Sequence, residues 1–359
     1  MRRSIVVGLS LVSFAAASCS GDSGSTTASV SETVVLNTMP QANTTSTTAD
    51  SGVDTSTTQV LDGPVYPLTG LPVTDEVAFA HPALVVKIDN HTKSRPQTGL
   101  GVADIVFEEN VEGITRFAAV FQSQGADPVG PIRSGRTQDV ALLGSFASPL
   151  FAWSGGNAAV TRVIANSDFI NLSNLIQSVQ KAGGFFRADD RKNPHDLYAQ
   201  TSLLWTLAPL WAPPPPPQFV YRAAGDTVSG DASTGVRLDM DGVRVDWEYD
   251  QATASYLRKQ DGEAHVDAVS GPISAQNVVV PVVRYQPSAA DPRSPEAQTV
   301  GSGDVFVFTG GVMVTGTWQR GSRTDPFTLL DASGVIIELT PGRTWVELAR
   351  SGAITPVSS

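Results

Sequence analysis

From Pro64 to Pro209 the apolar positions alternate between strand-like and helix-like spacing. Ala83–Asp89 (Ala-Leu-Val-Val-Lys-Ile-Asp) is a short apolar run of the kind buried in a sheet. Asp104–Glu109 and Ile114–Gln122 read as a hairpin joined through Glu112-Gly113. Gln138–Phe146 and Ala158–Ala165 carry apolar residues at helical spacing, with a strand at Pro149–Trp153 between them. Thr201–Leu210 reads as one more helix, capped by Thr201 or Ser202. After Pro217 only strands are predicted: Val243–Tyr249, Thr253–Leu257, Asn277–Tyr285, Asp304–Phe308, Val312–Gln319, Thr328–Asp331 and Val335–Leu339. Turns at Asp261-Gly262 and Gly310-Gly311 punctuate them. The expected fold class is therefore α+β: a mixed α/β N-terminal domain followed by a smaller, strand-rich, barrel- or sandwich-like C-terminal domain. Ala212 and the run Pro213–Pro217 form a stiff polyproline II spacer, the clearest internal boundary.

Before Pro64 this patterning is lost. Ser20–Gly63 contains no Lys, Arg, Phe, Trp or Tyr, and Ser and Thr dominate it. Such a segment cannot bury enough apolar surface to offset its ordering entropy, so disorder is expected. As a flexible coil it would reach roughly 35 Å, which makes it a tether. Ahead of it, Arg2-Arg3, the apolar run Ile5–Phe14 and small residues have the layout of a secretory signal, the run being too short to span a bilayer. Ala16-Ala17-Ser18-Cys19 resembles a lipobox, in which the cysteine becomes the first mature residue and is acylated. An ordinary cleaved signal with an incidental cysteine is the alternative. The expected division is a signal peptide at 1–18, lipidated Cys19 and tether at 19–63, an α/β domain at 64–211, a linker at 212–236, a β-rich domain at 237–350 and a tail at 351–359.

Charge and cysteine content narrow the function classes. The formal net charge is −11, and loss of Arg2 and Arg3 with the signal makes it two units more negative. An acidic chain is a poor general binder of nucleic acid, and surface charge does not attract it to anionic lipid. Membrane contact is thus expected through acylated Cys19, on the extracytoplasmic face of the cytoplasmic membrane. One cysteine excludes an internal disulfide and a four-cysteine zinc site. No nucleophile elbow, dinucleotide fingerprint or phosphate-cradling glycine loop with lysine is present, and no cofactor or metal site is expected.

Three stretches carry a family resemblance. The first holds Pro67-Leu68-Thr69-Gly70-Leu71, Lys87-Ile88-Asp89-Asn90-His91 and Arg95-Pro96-Gln97-Thr98-Gly99-Leu100. The second runs from Gly113-Ile114-Thr115-Arg116-Phe117 to Gly130-Pro131-Ile132-Arg133-Ser134-Gly135-Arg136, and the third is Arg191-Lys192-Asn193-Pro194-His195-Asp196-Leu197-Tyr198. Together they resemble the YerB-like lipoproteins, a bacterial family of unknown function. Gly301-Ser302-Gly303, Gly316-Thr317-Trp318 and Pro341-Gly342-Arg343-Thr344-Trp345 resemble that family's second domain. The resemblance implies a lipoprotein and no assigned reaction. Asn193 and Asp196 depart from the pattern, which has a small residue and Asn there.

The polar residues of these motifs supply the candidate chemistry. Arg95, Arg116, Arg133, Arg136, Arg191 and Lys192 would, if convergent, form a forked site for phosphate or carboxylate, with Asn90 and His91 at its mouth. Asp89 and His195 are the candidates for moving protons. The competing expectation is that the arginines pair with Asp89, Asp104, Glu108, Glu109 and Glu112 as scaffold salt bridges. Gly155-Gly156-Asn157 opens a helix that would aim amides at an anion, or is a tight turn. Most tryptophans read as core, and Trp211 as a residue pinning the linker. The leading functional expectation is a non-enzymatic envelope lipoprotein that binds a ligand or partner or acts as a scaffold. The alternative is an enzyme or binder acting on anionic envelope precursors through the arginine cluster. An envelope protein is the other expected partner, met by an edge of the C-terminal strand domain.

Overall fold

A computed structural model describes residues 63–223 and 225–358. Cys19, the expected signal segment and the Ser/Thr-rich stretch up to Asp62 lie outside the described residues. Before the proline run the chain forms strands β1 (Leu84–Asp89), β2 (Ile105–Val111), β3 (Ile114–Phe121), β4 (Leu150–Trp153) and β5 (Ile170–Ser173). After it come β6 (Gly235–Met240), β7 (Val243–Asp250), β8 (Ser255–Gln260), β9 (Asn277–Pro281) and β10 (Gly301–Thr309). The last are β11 (Val312–Arg320), β12 (Thr328–Asp331), β13 (Thr344–Glu347) and β14 (Ile354–Val357).

One sheet of eleven strands runs through both halves in the order β12-β11-β10-β9-β13-β2-β3-β1-β4-β5, with Asp231–Ala232 added against β11. Its join is β13, which lies parallel to β9 on one side and β2 on the other, Thr344 facing both Asn277 and Ile105. Where both faces are covered, as at β1, β3, β4 and β9, the strands read as nearly unbroken apolar runs. Val85, Phe107, Val120, Phe151, Val279 and Val346 pack on one face with Leu142, Val160 and Ile164 of helices α2 (Gln138–Leu142) and α3 (Ala158–Ala165). Val86, Val106, Phe117, Val278 and Trp345 pack on the other, against a second sheet. That sheet has six strands and contains β8, β7, β6 and β14 in this order. It is half-solvated, so β6 alternates Val236, Leu238 and Met240 inward with exposed Arg237 and Asp239.

The α+β class is as expected, and several local boundaries differ. The expected Thr201–Leu210 helix ends at Trp205; Thr206, Leu207 and Ala208 continue it only as tighter turns, their amides donating to the carbonyls of Leu203, Leu204 and Trp205, before Pro209 ends the run. The expected Asn277–Tyr285 strand is two, breaking after Pro281, which has no N–H to continue the ladder. Val335–Leu339 is no strand; Ile336 and Leu339 make only isolated bridges. Trp211 is 66% exposed and pins nothing, whereas Trp153, Trp247, Trp318 and Trp345 are buried. Among the described residues no helix is long and apolar enough to cross a membrane.

Candidate functional site

The three motifs meet because backbone hydrogen bonds lay them side by side at the end of β1. The Asp89 amide donates to Pro131 O (2.9 Å) and the Arg133 amide to Lys87 O (2.8 Å), so the second motif runs alongside the first. The Ile132 amide donates to Leu197 O (2.6 Å), which brings in the third. Gly130 allows this close approach. It has φ +152°, and a Cβ there would sit 2.8 Å from the Tyr198 ring.

On this platform the buried Asp89 carboxylate is the common partner. His195 Nδ1 lies 2.7 Å from Asp89 Oδ2, and the His91 amide donates to Oδ1 at 3.0 Å. Arg133 Nε stands 3.3 Å from Oδ2, an ion pair without hydrogen-bond alignment. The His91 ring stacks on that of His195 with centroids 4.5 Å apart. Burial, followed by the neighbouring His195, lowers the His91 pKa against the pull of Asp89.

His195 also lines a pocket of about 390 Å³ with Lys93, Arg95, Asp190, Arg191 and Lys192. Its walls are cross-braced. Arg191 donates to Ser94 O and Pro96 O, both at 2.7 Å, tying the third motif to the first. Arg95 donates to Asn90 Oδ1 at 3.3 Å and pairs with Asp261 at 3.4 Å. Asn90 is buried beneath the pocket, its Nδ2 bonded to Thr115 and Gln260, and so positions Arg95 from below.

Arg116 is the outlier in this set. It is 5% exposed, its Nε has no partner, and its one hydrogen bond is a 3.5 Å contact to Ser134 O. Among the described residues no carboxylate lies within ion-pair distance of it. Burial first, then Arg136, pushes its pKa down to about 10, with Asp89 opposing. A buried, unneutralised guanidinium is costly, and an anion beside it would relieve that cost.

The other candidates are dispersed. Arg136 is clamped by Glu112 through two bonds of 3.1 and 2.7 Å. Asp104 and Glu108 take no arginine of the three motifs. Asp104 accepts from Gln122 and Ser123, and burial raises its pKa to about 6. The departing residue Asp196 pairs with Arg187. The first amides of α3 are capped by the Asn157 side chain, so they face no open site.

Sequence reasoning missed the supports. Lys87 is fully buried between Asp139, at 2.8 Å, and Glu109. Burial lowers its pKa to about 8. On the opposite face of the sheet Arg258 of β8 bonds Glu108, Gln260 and His265, and His265 Nε2 lies 2.9 Å from Gln97 Oε1. Gln97 in turn donates to Asp89 O at 3.0 Å. A polar chain thus runs from the second sheet to the site. Lys93 was findable, two residues from His91; Arg258 carried no local signal.

Among the described residues no group of three or more His, Cys, Asp or Glu side chains is arranged to hold a metal ion. The sheet shared across the proline run and the three-motif junction define one class of protein. Residues 68–209 match the N-terminal domain, and residues 236–346 the C-terminal domain, of the family described as protein of unknown function (DUF3048). The chain belongs to this family. It is 31% identical over 301 residues to the provisionally named lipoprotein YerB of Bacillus subtilis (strain 168), covering 79% of this chain and 85% of that one. The crystal structure of the YerB protein from Bacillus subtilis is similar throughout, with a TM-score of 0.71 and 27% identity over 82% of this chain and 99% of the other.

Proposed function

We propose that this chain is a lipoprotein held by acylated Cys19 on the extracytoplasmic face of the cytoplasmic membrane, and that its body binds an anionic ligand. The carrying observation is the junction of Asp89, Arg133 and His195 at a pocket lined by Lys93, Arg95, Arg191 and Lys192. Basic groups in a partly enclosed site focus a phosphate- or carboxylate-bearing ligand even in an acidic protein. The under-bonded Arg116 guanidinium behind Arg133 supports the same reading. The anchor is supported by the lipobox-like Ala16–Cys19 and by the name of the Bacillus relative.

Two measurements test it. Intact-mass spectrometry of membrane-extracted protein should find acyl mass on Cys19, and Cys19→Ala should free the chain from the membrane fraction. Titration calorimetry of the full chain with inorganic phosphate and with citrate should give saturable binding of at least one. Arg133→Gln should weaken that binding by about tenfold to a hundredfold, as expected for loss of a charge-assisted contact. No saturable binding of either anion would overturn the ligand assignment.

A further inference from the structure

The geometry points to a hydrolytic centre for phosphate esters in this pocket, with His195 as its base; the inference rests on the anion-binding reading above. A structural histidine needs only a bonded ring. His195 has more: Nδ1 is held by a carboxylate that is itself 1% exposed, and its side chain keeps 12% of its surface in the pocket. The acceptor on Nδ1 fixes the proton there and leaves the lone pair on Nε2. Ring orientation is set twice more. His91 stacks on the imidazole, and the His91 amide fixes Asp89 Oδ1.

The surrounding charge selects the substrate class. Lys93, Arg95, Arg191 and Lys192 in the pocket, with Arg133 and Arg116 behind, are opposed by Asp89, Asp190 and Asp261. That excess of three positive charges suits a dianionic phosphoryl group better than a single carboxylate. In the step this arrangement supports, a water bound at Nε2 gives its proton to the imidazole as its oxygen bonds phosphorus. The bond from phosphorus to the ester oxygen breaks, and the leaving alkoxide takes a proton from bulk water. The imidazolium then returns its proton to solvent. Arg133 and the pocket cations hold the non-bridging oxygens, where charge collects in the transition state. Asp89 is a positioning residue.

The test uses the full chain in detergent with p-nitrophenyl phosphate and bis(p-nitrophenyl) phosphate, with inorganic phosphate binding measured in parallel. Wild type should release p-nitrophenolate from at least one ester. His195→Gln should lower kcat by about 10² to 10⁴ while phosphate binding persists. Because Asp89 acts on the substrate only through His195, Asp89→Asn is read as a split between the two kinetic constants: kcat should fall while KM and phosphate binding stay near those of wild type. If wild type binds phosphate without turning over either ester, or His195→Gln turns over as fast as wild type, the hydrolytic inference is overturned and the binding reading stands. If citrate binds and phosphate does not, the hydrolytic inference falls and the binding reading stands; if neither anion binds, both fall.

Discussion

Replacing Arg258 with leucine should destabilise the protein far more at neutral pH than in mild acid. Arg258 is 1% exposed and sits among the rings of Phe117, Trp247 and Trp345, at 5.5, 5.9 and 5.1 Å. Its guanidinium bonds Glu108 and lies 4.0 Å from Glu347, both fully buried. Leucine fits the aromatic cage but leaves two carboxyls without their cation. Breaking a buried pair from one side costs about 3–5 kcal/mol. At about 2 °C per kcal/mol for a body of this size, Tm should fall by roughly 6–10 °C. The pH dependence follows from Glu347, whose pKa burial and then Glu108 hold well above 4.5, with Arg258 opposing. A carboxyl with a raised folded pKa contributes stability that is complete below its unfolded value and is lost as pH rises through the folded one. Without Arg258 that loss grows, so the variant's deficit should be larger at pH 8 than at pH 5. Urea unfolding followed by tryptophan fluorescence reads this directly, and adding Glu108→Gln should recover part of the deficit. A cost below about 1 kcal/mol at pH 8, or a deficit equal at both pH values and untouched by Glu108→Gln, would refute the reasoning.

Other outcomes follow from burial. Lys87 gives up its proton near pH 8 when folded and near 10.5 when unfolded, so its contribution to stability rises between those values, by up to about 3 kcal/mol. Urea titrations across that range should show the gain of wild type over Lys87→Met widening with pH. Trp247→Ala should cost about 3–5 kcal/mol in the same assay, because it empties a fully buried ring site and strips the 2.8 Å indole bond from Glu347. Trp211→Ala, at an exposed ring, should change stability by no more than about 0.5 kcal/mol.

Strands whose two faces are buried announce themselves as apolar runs, which is why β1, β3 and β4 were legible within a residue or two. Helix α3 was legible to the residue, since its spacing and the Asn157 cap agree. β13 was not: its four residues include Thr344 and Glu347, and their burial depends on strands about 70 and 240 residues away. β6 carried a clean alternation, Val236-Arg237-Leu238-Asp239-Met240, yet no strand was expected between the proline run and Val243, and the expected boundary between residues 236 and 237 cuts through it. The site was half legible. Its motifs supplied Asp89, Arg133 and His195, but strand register alone sets Arg116 of β3 opposite Asp89, and it is the loop docked by the Ile132–Leu197 bond that brings His195 onto the carboxylate instead. The pairing of Arg136 with Glu112 is the scaffold arrangement also expected for these arginines, and Arg258 with Glu108 spans 150 positions that no local pattern connects.

The place of β13 also fixes an order of events. The strand that completes the middle of the great sheet is made after nearly everything it joins, so β2 and β9 wait with open edges until residues 344–347 arrive. A chain of this topology cannot close its centre before residues 344–347 have been made. Export as an unfolded thread, which the proposed anchoring at Cys19 would require, would profit from that delay: the body would stay threadable through a narrow translocation channel and lock only on the far side.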